Sequence, residues 1–335
     1  MKSLAVYYEL EDSNSPLTEK VELHVNVWKL PTNKKSSFEK FIDLGLKLEE
    51  TKLIKFLYFF IPYQLTKKDV KDLGFIMGNS EKGILINTLF NANYSVSSQP
   101  NSDYYKITDV ANSNELFHIY GIKRPNIKLE KLDYGTIVKV EINGQKEDKT
   151  YIRLRFDVDY TDKLSQVEKP SNSFFQSGFS MTETIDFRIN EIREINNELL
   201  DKIYPIGNLF KFKKIHFFFM CCSREEYIFS HNPFISARQL EWKRWEEYVN
   251  KKNISNEDIL AYHWKAKDEN DYNALVQTKF EINHYITIGK YLLYLLIITI
   301  IFNFASNILY NKIFINESNH NTPANTLKKD STNIN

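Results

Sequence analysis

The sequence predicts an α+β fold with a mostly antiparallel β N-terminal half, a mixed α/β C-terminal half and a single C-terminal transmembrane helix. The first 160 residues read mostly as strands, because apolar and polar side chains alternate with period two in several segments. Later segments also show the spacing of three and four residues that is typical of helices. The transmembrane helix is indicated by Tyr291–Tyr310, an uncharged run of about twenty residues that matches a hydrocarbon layer of about 30 Å.

The composition allows a well-packed body and says little about its partners. The chain has 335 residues, of which 42% are hydrophobic and 14% aromatic, so it has enough apolar surface for a core. Its 44 basic and 43 acidic residues leave a net charge of +1, which provides no overall field for nucleic acid. Cys221 and Cys222 are adjacent, and neighbouring Cα atoms lie about 3.8 Å apart, below the usual disulfide range. A reducing compartment is therefore expected.

The N-terminal region begins with a predicted hairpin. Lys20–Trp28 alternates cleanly, which indicates a half-buried strand that pairs with Leu4–Leu10. The apolar face of this strand carries Val21, Leu23, Val25 and Val27, and its solvent face carries Glu22, His24 and Asn26. A capped amphipathic helix is expected from about Ser36, and Leu53–Ile61 reads as a strand buried on both faces.

The rest of this region is predicted to contain one short helix and a second hairpin. Thr66–Asp69 resembles a capping box at a helix start. Thr136–Ile142 and Thr150–Tyr160 read as strands joined through Asn143-Gly144.

The second half mixes predicted helices with one aromatic strand. Ile189–Ile203 has apolar residues at helical spacing, and Phe210–Cys222 reads as a strand. Asn232-Pro233 is a typical helix start, and another helix is expected over Ser255–Trp264.

These elements give five predicted regions. A β-rich cytosolic region occupies 1–160, and a connector or long loop occupies 161–183, where Phe174, Phe175 and Phe179 favour contact with the body. A mixed helix and strand region follows at 184–284, either separate from 1–160 or part of the same domain. The transmembrane helix occupies 290–310, and 311–335 is polar enough to be disordered.

Asp157 and Asp159 are the weak candidates for metal ligands. They lie two residues apart on a predicted strand, so both carboxylates are on one face, as a divalent cation requires. The same alternation places Tyr151, Arg153 and Arg155 on that face. A solvated strand face with mixed charges explains the pattern, and we assign no catalytic residue, no cofactor and no metal.

The cysteines and histidines give no complete site. Cys221-Cys222 and His216 invite a zinc or thiol interpretation, but zinc needs more ligands and a reactive thiol needs a basic neighbour. Arg224 is the one candidate for that neighbour in the sequence, so buried structural thiols are expected. His231 precedes a predicted helix start, and His263 is expected in a packed aromatic cluster on a helix.

Two further motifs are weak. Gly78 and Gly83 have the spacing of a phosphate loop, but the Gly-Lys-Ser/Thr ending is absent and a strand-to-strand turn is expected. Lys211, Lys213 and Lys214 interleave with two phenylalanines, a pattern that binds single-stranded nucleic acid. In a chain of near-neutral charge, a solvated edge is the preferred interpretation.

The predicted membrane helix carries a polar stripe. Its members fall on one side of the helix: Thr299, Asn303, Ser306, Asn307 and Tyr310. Polar side chains are costly against lipid, so such a stripe tends to face protein or water. Self-association into a homo-oligomer is the functional interpretation. The alternative is a span that begins near Tyr285 and leaves these residues at the interface.

The sequence favours a non-enzymatic, membrane-anchored binding or effector protein. The N-terminus lacks the pattern of a signal peptide, so a single-pass tail anchor with the bulk of the chain in the cytoplasm is expected. Lys290 and Lys312 flank the span almost evenly, and charge alone does not set the orientation. The expected partners are the lipid bilayer, further copies of the chain and an unidentified protein or small molecule.

Other function classes remain open at this point. The architecture is similar to that of membrane-acting effectors of stress or antiviral defence. The alternatives are a membrane-tethered, metal-dependent enzyme that uses Asp157 and Asp159, and a scaffold that recruits a partner through exposed aromatic residues.

Overall fold

The computed structural model describes most of the chain as two units. The described residues are 3–12, 21–34, 37–80, 83–98, 102–142, 147–168, 180–255, 257–281 and 285–312. Residues 1–282 form one compact unit and residues 283–335 form the other. The first unit is mostly β-sheet, and the second contains an apolar helix.

The strands occur along the whole first unit. The first ten are β1 (Ala5–Leu10), β2 (Val21–Pro31), β3 (Phe38–Leu48), β4 (Ile54–Ile61), β5 (Val70–Asp72), β6 (Tyr94–Ser98), β7 (Tyr104–Asp109), β8 (Glu115–Tyr120), β9 (Ile127–Leu132) and β10 (Gly135–Glu141). The others are β11 (Thr150–Phe156), β12 (Ser165–Glu168), β13 (Ser180–Ile189), β14 (Asn208–Leu209), β15 (Phe212–Cys222), β16 (Glu226–Ser230), β17 (Ser236–Gln239), β18 (Ile259–Glu269) and β19 (Tyr272–Glu281). The helices are α1 (Gly74–Gly78), α2 (Ile84–Phe90), α3 (Asn197–Ile203), α4 (Trp242–Val249) and α5 (Tyr285–Tyr310).

The described strands of the first unit form three sheets. Within the described residues, the largest has the order β17-β18-β15-β2-β3-β11-β8-β7-β6, with β5 paired to β11. A second sheet has the order β14-β1-β4-β10-β9, and a third has the order β12-β13-β19-β16. In the large sheet, β2 is antiparallel to β3 and parallel to β15, so it is a central strand.

The main core lies among the three sheets. Each contributes apolar side chains at alternate positions, for example Val25 from β2, Phe59 from β4 and Phe187 from β13. The opposite face of the large sheet packs against α1, α2 and α4 and forms a second cluster that includes Trp28, Met77 and Tyr248. The central strands of the large sheet are therefore covered on both faces.

Two strand predictions are confirmed. β4 occupies Ile54–Ile61 with Phe59 and Phe60 fully buried on opposite faces, as the continuous apolar run indicated. β15 occupies Phe212–Cys222 within the predicted aromatic strand.

The helix predicted from about Ser36 is wrong, because Phe38–Leu48 forms β3 between β2 and β11. Ile42, Leu44 and Leu46 enter the main core at period two. The local sequence fits a helix and a strand about equally well. Hydrogen bonding of β3 to β2 and β11 makes it a strand.

The second half has more strand than the sequence indicated. The helix predicted over Ser255–Trp264 is wrong, since most of this segment belongs to β18, which pairs with β15 and β17. After Asn232-Pro233 the chain forms β17, and a helix begins only at Trp242. Of the predicted helix Ile189–Ile203, only the end is an α-helix, and the side chain of Asn196 accepts a hydrogen bond from the Glu198 N–H at its start.

The four strands of the two predicted hairpins are present as β1, β2, β10 and β11, but both predicted pairings are wrong. β1 pairs with β4 and β14, whereas β2 lies in the large sheet. β10 and β11 likewise lie in different sheets, and Asn143-Gly144 lies outside the described residues. Strands that follow each other in the sequence thus lie in different sheets, and the packing of whole sheets determines which strands pair.

Three loop predictions have different outcomes. Thr66–Asp69 is a turn rather than a helix start, with the Asp69 carboxylate accepting from the Thr66 N–H and hydroxyl, each at 2.7 Å. Gly78 and Gly83 flank a connection between α1 and α2, not between strands, and Gly83 has the left-handed φ of +67°. In the predicted connector 161–183, the described ends belong to β12 and β13, which pair, while Phe174, Phe175 and Phe179 lie outside the described residues.

The second unit contains a helix that is long and apolar enough to span a membrane. α5 covers Tyr285–Tyr310, and its segment Gly289–Tyr310 has 22 residues, none of them buried. This confirms an apolar helix at the predicted position. The predicted disordered tail, apart from Asn311 and Lys312, lies outside the described residues.

A buried ion cluster joins the large sheet to the third sheet. Lys29 of β2 lies 2.8 Å from the Glu183 carboxylate of β13 and 2.6 Å from the Glu225 carboxylate. Lys40 also contacts Glu183 at 2.8 Å, and Thr278 donates to Glu225 at 3.0 Å. Burial alone would raise the pKa of Glu183, but Lys29 and Lys40 outweigh it and lower the pKa to about 2.

Replacing Lys29 by Met is expected to lower the free energy of unfolding by about 3–5 kcal/mol, because Glu225 would stay buried without its cation and Glu183 would keep only Lys40. Chemical denaturation of the detergent-solubilised full chain measures the change. The matched control is Lys52→Met, which removes an exposed pair with Asp148 at 3.2 Å and should cost about 0–1 kcal/mol. Equal effects of the two variants would contradict a stabilising role for the buried cluster.

Candidate functional site

The face of the large sheet that lies under the helices carries a row of polar side chains. Period two places them on this face of five neighbouring strands: Glu22 and His24 of β2, Asp43 of β3, Arg153 and Arg155 of β11, His216 of β15 and His263 of β18. The expectation of a solvated strand face is wrong for the arginines, because Arg153 and Arg155 are only 0% and 1% exposed. Such charges need internal partners.

Asp43 is the centre of a buried hydrogen-bond network. Arg155 donates from Nε to Asp43 Oδ1 at 2.7 Å and from Nη2 to Oδ2 at 3.2 Å, a two-pronged contact. Trp28 and Tyr248 also donate to Asp43 Oδ2, at 2.9 and 2.7 Å. Arg155 further donates to the carbonyl of Val249 at 2.6 Å, so it holds the C-terminal end of α4 where a cation is favourable.

Arg153 brings a second positive charge to the same carboxylate. Its Nε donates to Tyr248 Oη and its Nη1 donates to Tyr151 Oη, both at 2.6 Å. Its Nη2 lies 4.0 Å from Asp43 Oδ2 and has no hydrogen-bond partner among the described residues. The network therefore contains two guanidinium groups and one carboxylate.

Tyr151 connects this network to His24. The Tyr151 hydroxyl lies 3.3 Å from His24 Nδ1. It reaches that position because residue 45, which lies between His24 and Arg153 in the sheet, is glycine. A Cβ on Gly45 would lie 2.3 Å from the Tyr151 hydroxyl oxygen, so any larger residue would displace it.

Strand register brings Glu22, His24 and His216 together. Glu22 and His24 are two apart on β2, and the parallel pairing of β2 with β15 places His216 directly opposite His24. One potential ligand atom of each side chain lies within 4.8 Å of the others. His24 is 8% exposed, and its Nε2 has no partner among the described residues.

His263 extends this cluster across β18. Its Nε2 lies 3.0 Å from His216 Nδ1, and the two rings are nearly parallel. Phe90 of α2 packs over His24, with 5.5 Å between ring centres. His24 thus lies between the sheet and this covering aromatic side chain.

The surroundings keep the histidines neutral. Burial is the main reason that the pKa values of His24, His216 and His263 are all lowered, to about 4 for His263. Neighbouring positive charges add to the effect. For Glu22, burial would raise the pKa, but a hydrogen bond from Lys214 at 2.8 Å and the charge of Lys47 lower it overall.

This arrangement offers three donors suited to a metal ion. Neutral imidazole and a carboxylate together form a ligand set that zinc and related ions use. Lys214 contacts Glu22 Oε1, which leaves the second carboxylate oxygen for another interaction. The group does not include either of the aspartates that the sequence suggested.

Asp157 and Asp159 lie beyond the end of β11 and have separate partners. Asp157 pairs with Lys71 at 2.5 Å and with Lys251 at 3.1 Å. Asp159 accepts hydrogen bonds from the Thr161 N–H and hydroxyl. Each carboxylate is therefore engaged by its own neighbours.

Both cysteines are free and buried, as expected for structural thiols. Cys221 lies in the main core, and the Cys222 thiol donates to Glu257 Oε2 at 2.7 Å. Burial and the Glu257 hydrogen bond raise the pKa of Cys222, which disfavours the thiolate. Arg224 contacts Glu257 in turn.

The other weak candidates also have ordinary partners. His231 Nδ1 accepts from the Leu275 N–H at 3.3 Å. Lys214 pairs with Glu22, and Phe210 and Phe212 are buried, so these rings are not available for stacking on bases.

One member of the polar stripe on α5 has a partner within the helix. The Thr299 hydroxyl donates to the Leu295 carbonyl at 2.8 Å, within α5. The remaining members, Asn303, Ser306, Asn307 and Tyr310, lie on the same side of the helix.

The chain matches no protein-family model and no curated protein. The sequence indicates His216 and His263 only as separate residues, and it places Glu22 and His24 on the polar face of a half-buried strand. The spacing of Glu22 and His24, two residues apart on a predicted strand, was the sequence signal that both lie on one face. Their meeting with His216 depends on the pairing of β2 with β15, which no local pattern reveals.

The histidine cluster should make stability depend on pH. In the unfolded chain, His263 binds a proton below the ordinary histidine pKa of about 6.5. In the folded chain, it does so only below about pH 4. The free energy of unfolding should therefore fall as the pH drops from 7 to 5, and this loss should be smaller in His263→Gln by up to about 1.4 kcal/mol per pH unit. The groups that face His263 are His216, Lys265 and Arg238.

Urea denaturation of the full chain in detergent with EDTA, at pH 7 and pH 5, measures this difference. His231→Gln, at an exposed position, is the matched control. A loss of stability in His263→Gln as large as that of the wild type would contradict a neutral, partly buried role for this histidine.

Proposed function

We propose that the protein is a membrane-anchored binding protein in which α5 is the single anchor and the folded unit of residues 1–282 faces the cytosol. The observation that carries the proposal is the helix Gly289–Tyr310, which is 22 residues long and apolar, with no residue buried. Each of the other α-helices in the described chain has eight residues or fewer.

The exposed surface of α5 supports membrane insertion. Leu292, Phe302 and Phe304 are 62%, 69% and 71% exposed, and apolar surface of this extent rarely stays in water. A helix satisfies its own backbone hydrogen bonds, so it can enter the hydrocarbon layer without cost from unpaired amides. Burial in lipid would remove this apolar surface from water.

A groove in the folded unit supports a binding role. A cavity of about 430 Å³, within the range of small-ligand sites, combines aromatic and polar side chains. Its lining includes Tyr8, Phe210, Asn208 and Asp271. The ligand class that we propose is a small molecule or a protein segment with both apolar and polar groups.

The competing function is a membrane-tethered, metal-dependent enzyme that uses Asp157 and Asp159. It has less support, because Lys71 and Lys251 already neutralise Asp157. An effector role in stress or antiviral defence belongs to the leading proposal and depends on the architecture alone.

Membrane attachment should depend on the apolar character of α5. The double variant Leu296→Lys/Ile300→Lys is expected to release the full chain into the alkaline-carbonate supernatant, because each lysine at the centre of a span costs about 2.5–3.5 kcal/mol. Leu296→Ile/Ile300→Leu is the matched control and should remain in the membrane pellet. Equal partitioning of the two variants would refute the anchor.

Orientation has its own measurement. Protease added to sealed microsomes that carry the inserted chain should digest the folded unit if it faces the cytosol. Protection of that unit until the membranes are lysed would place it on the other side.

The polar stripe should support self-association. Replacing Asn303, Ser306 and Asn307 with Leu is expected to reduce the cross-linked oligomer in membranes at least several-fold, because interhelical hydrogen bonds would be lost. Ile297, Ile301 and Ile308 lie on the opposite side of α5, and their replacement with Leu is the control. An unchanged oligomer in the first variant would show that the stripe is not an interface.

A further inference from the structure

We infer that Glu22, His24 and His216 form a binding site for one divalent transition-metal ion of the zinc class. This site is independent of the membrane anchor and of the groove described above. Two observations support it together: the three ligand atoms lie within 4.8 Å of one another, and the buried His24 Nε2 has no partner among the described residues.

The sheet provides a rigid frame for the ligands. His24 and His216 face each other from two central strands, and Glu22 is fixed two residues before His24. Zinc binds imidazole nitrogen at about 2.0–2.1 Å, which places two nitrogens on a tetrahedral ion about 3.3 Å apart. Small rotations of the three side chains, without movement of the strands, would bring ligand atoms that now lie within 4.8 Å of one another to these distances.

The neighbouring side chains support the required tautomers. Coordination through His24 Nε2 requires the proton on Nδ1, and the Tyr151 hydroxyl oxygen at 3.3 Å can accept a hydrogen bond from this N–H. Coordination through His216 Nε2 requires the proton on its Nδ1, and His263 Nε2 at 3.0 Å can accept a hydrogen bond from this N–H. Metal-binding histidines commonly have such a partner on the second nitrogen.

The local charge selects the class of metal. Lys47, Lys214 and the buried Arg153 lie near the group, and they would repel a hard cation that is held mainly by electrostatic attraction. Mg²⁺ and Ca²⁺ prefer several oxygen ligands, whereas this group supplies two nitrogens and one carboxylate. Coordinate bonds to imidazole favour Zn²⁺, Co²⁺, Ni²⁺ or Cu²⁺.

Three protein ligands leave a fourth position on a tetrahedral ion. Structural zinc sites usually fill all four positions with protein side chains, whereas sites that bind water or substrate keep one open. The proposed site therefore has the open coordination position of a site that binds water or substrate, and not the closed coordination of a structural zinc site. Glu22 and His216 are only partly buried, which gives the ion a route of entry.

The test uses the full chain in detergent, purified without a histidine tag and stripped with EDTA. We expect one Zn²⁺ per chain by equilibrium dialysis and elemental analysis, and a visible absorption band of tetrahedral Co²⁺ with nitrogen ligands. Mg²⁺ and Ca²⁺ at the same concentration should neither bind nor displace Co²⁺. Absence of zinc binding, or equal binding of Mg²⁺, would overturn the inference.

Variants assign the ion to these residues. His216→Gln and Glu22→Gln are expected to weaken zinc binding by at least a hundredfold, and His263→Gln by about ten- to a hundredfold through loss of the partner on His216. His231→Gln is the control and should bind like the wild type. Circular dichroism checks the fold of each variant. Glu22 and His216 are only partly buried, so their variants still test the site if the variant of the buried His24 does not fold. Unchanged zinc affinity in both His216→Gln and Glu22→Gln would overturn the assignment.

Discussion

The covering of both faces of the central β-strands is the constraint on which the rest of the structure depends. β2, β3 and β11 turn their apolar side chains toward the main core, so period two directs Asp43, Arg153 and Arg155 to the other face. Helices cover that face too. The charges have no access to water and must satisfy one another, which explains why Asp43 receives hydrogen bonds from three side chains.

The same constraint produces the candidate site. Once Tyr151 and Arg153 are fixed by the network, the Tyr151 hydroxyl meets His24 across the space that Gly45 leaves open. His24 then lies opposite His216, and both are shielded enough to stay neutral. A buried charge network at one end of the row thereby orients potential metal ligands at the other. This is a positioning effect, since the arginines do not contact the proposed ion site themselves.

The sequence predicted some elements well and misassigned others for identifiable reasons. β4 and β15 were recognised because long apolar runs have few alternatives in a domain of this size. The sequence predicts a helix at β3 because Phe41, Ile42 and Leu46 fit either period over a short stretch. It predicts a helix at β18 because Ser255 to Asp258 is typical of a helix start. Pairing with neighbours on both sides settled these segments as strands, and such pairing depends on residues far away in the chain.

The sequence by itself determined the apolar helix near the C-terminus and the alternation that gives β2 two different faces. Both follow from residues within one local segment, where length, charge and period are sufficient. Only the tertiary structure decided that the polar face of β2 is buried, and that His24 meets His216, 192 positions further along the chain. The reason is physical: the parallel register of β2 and β15 and the helices that cover them are set by the packing of whole sheets, and a local pattern contains no information about which distant strand will be its neighbour.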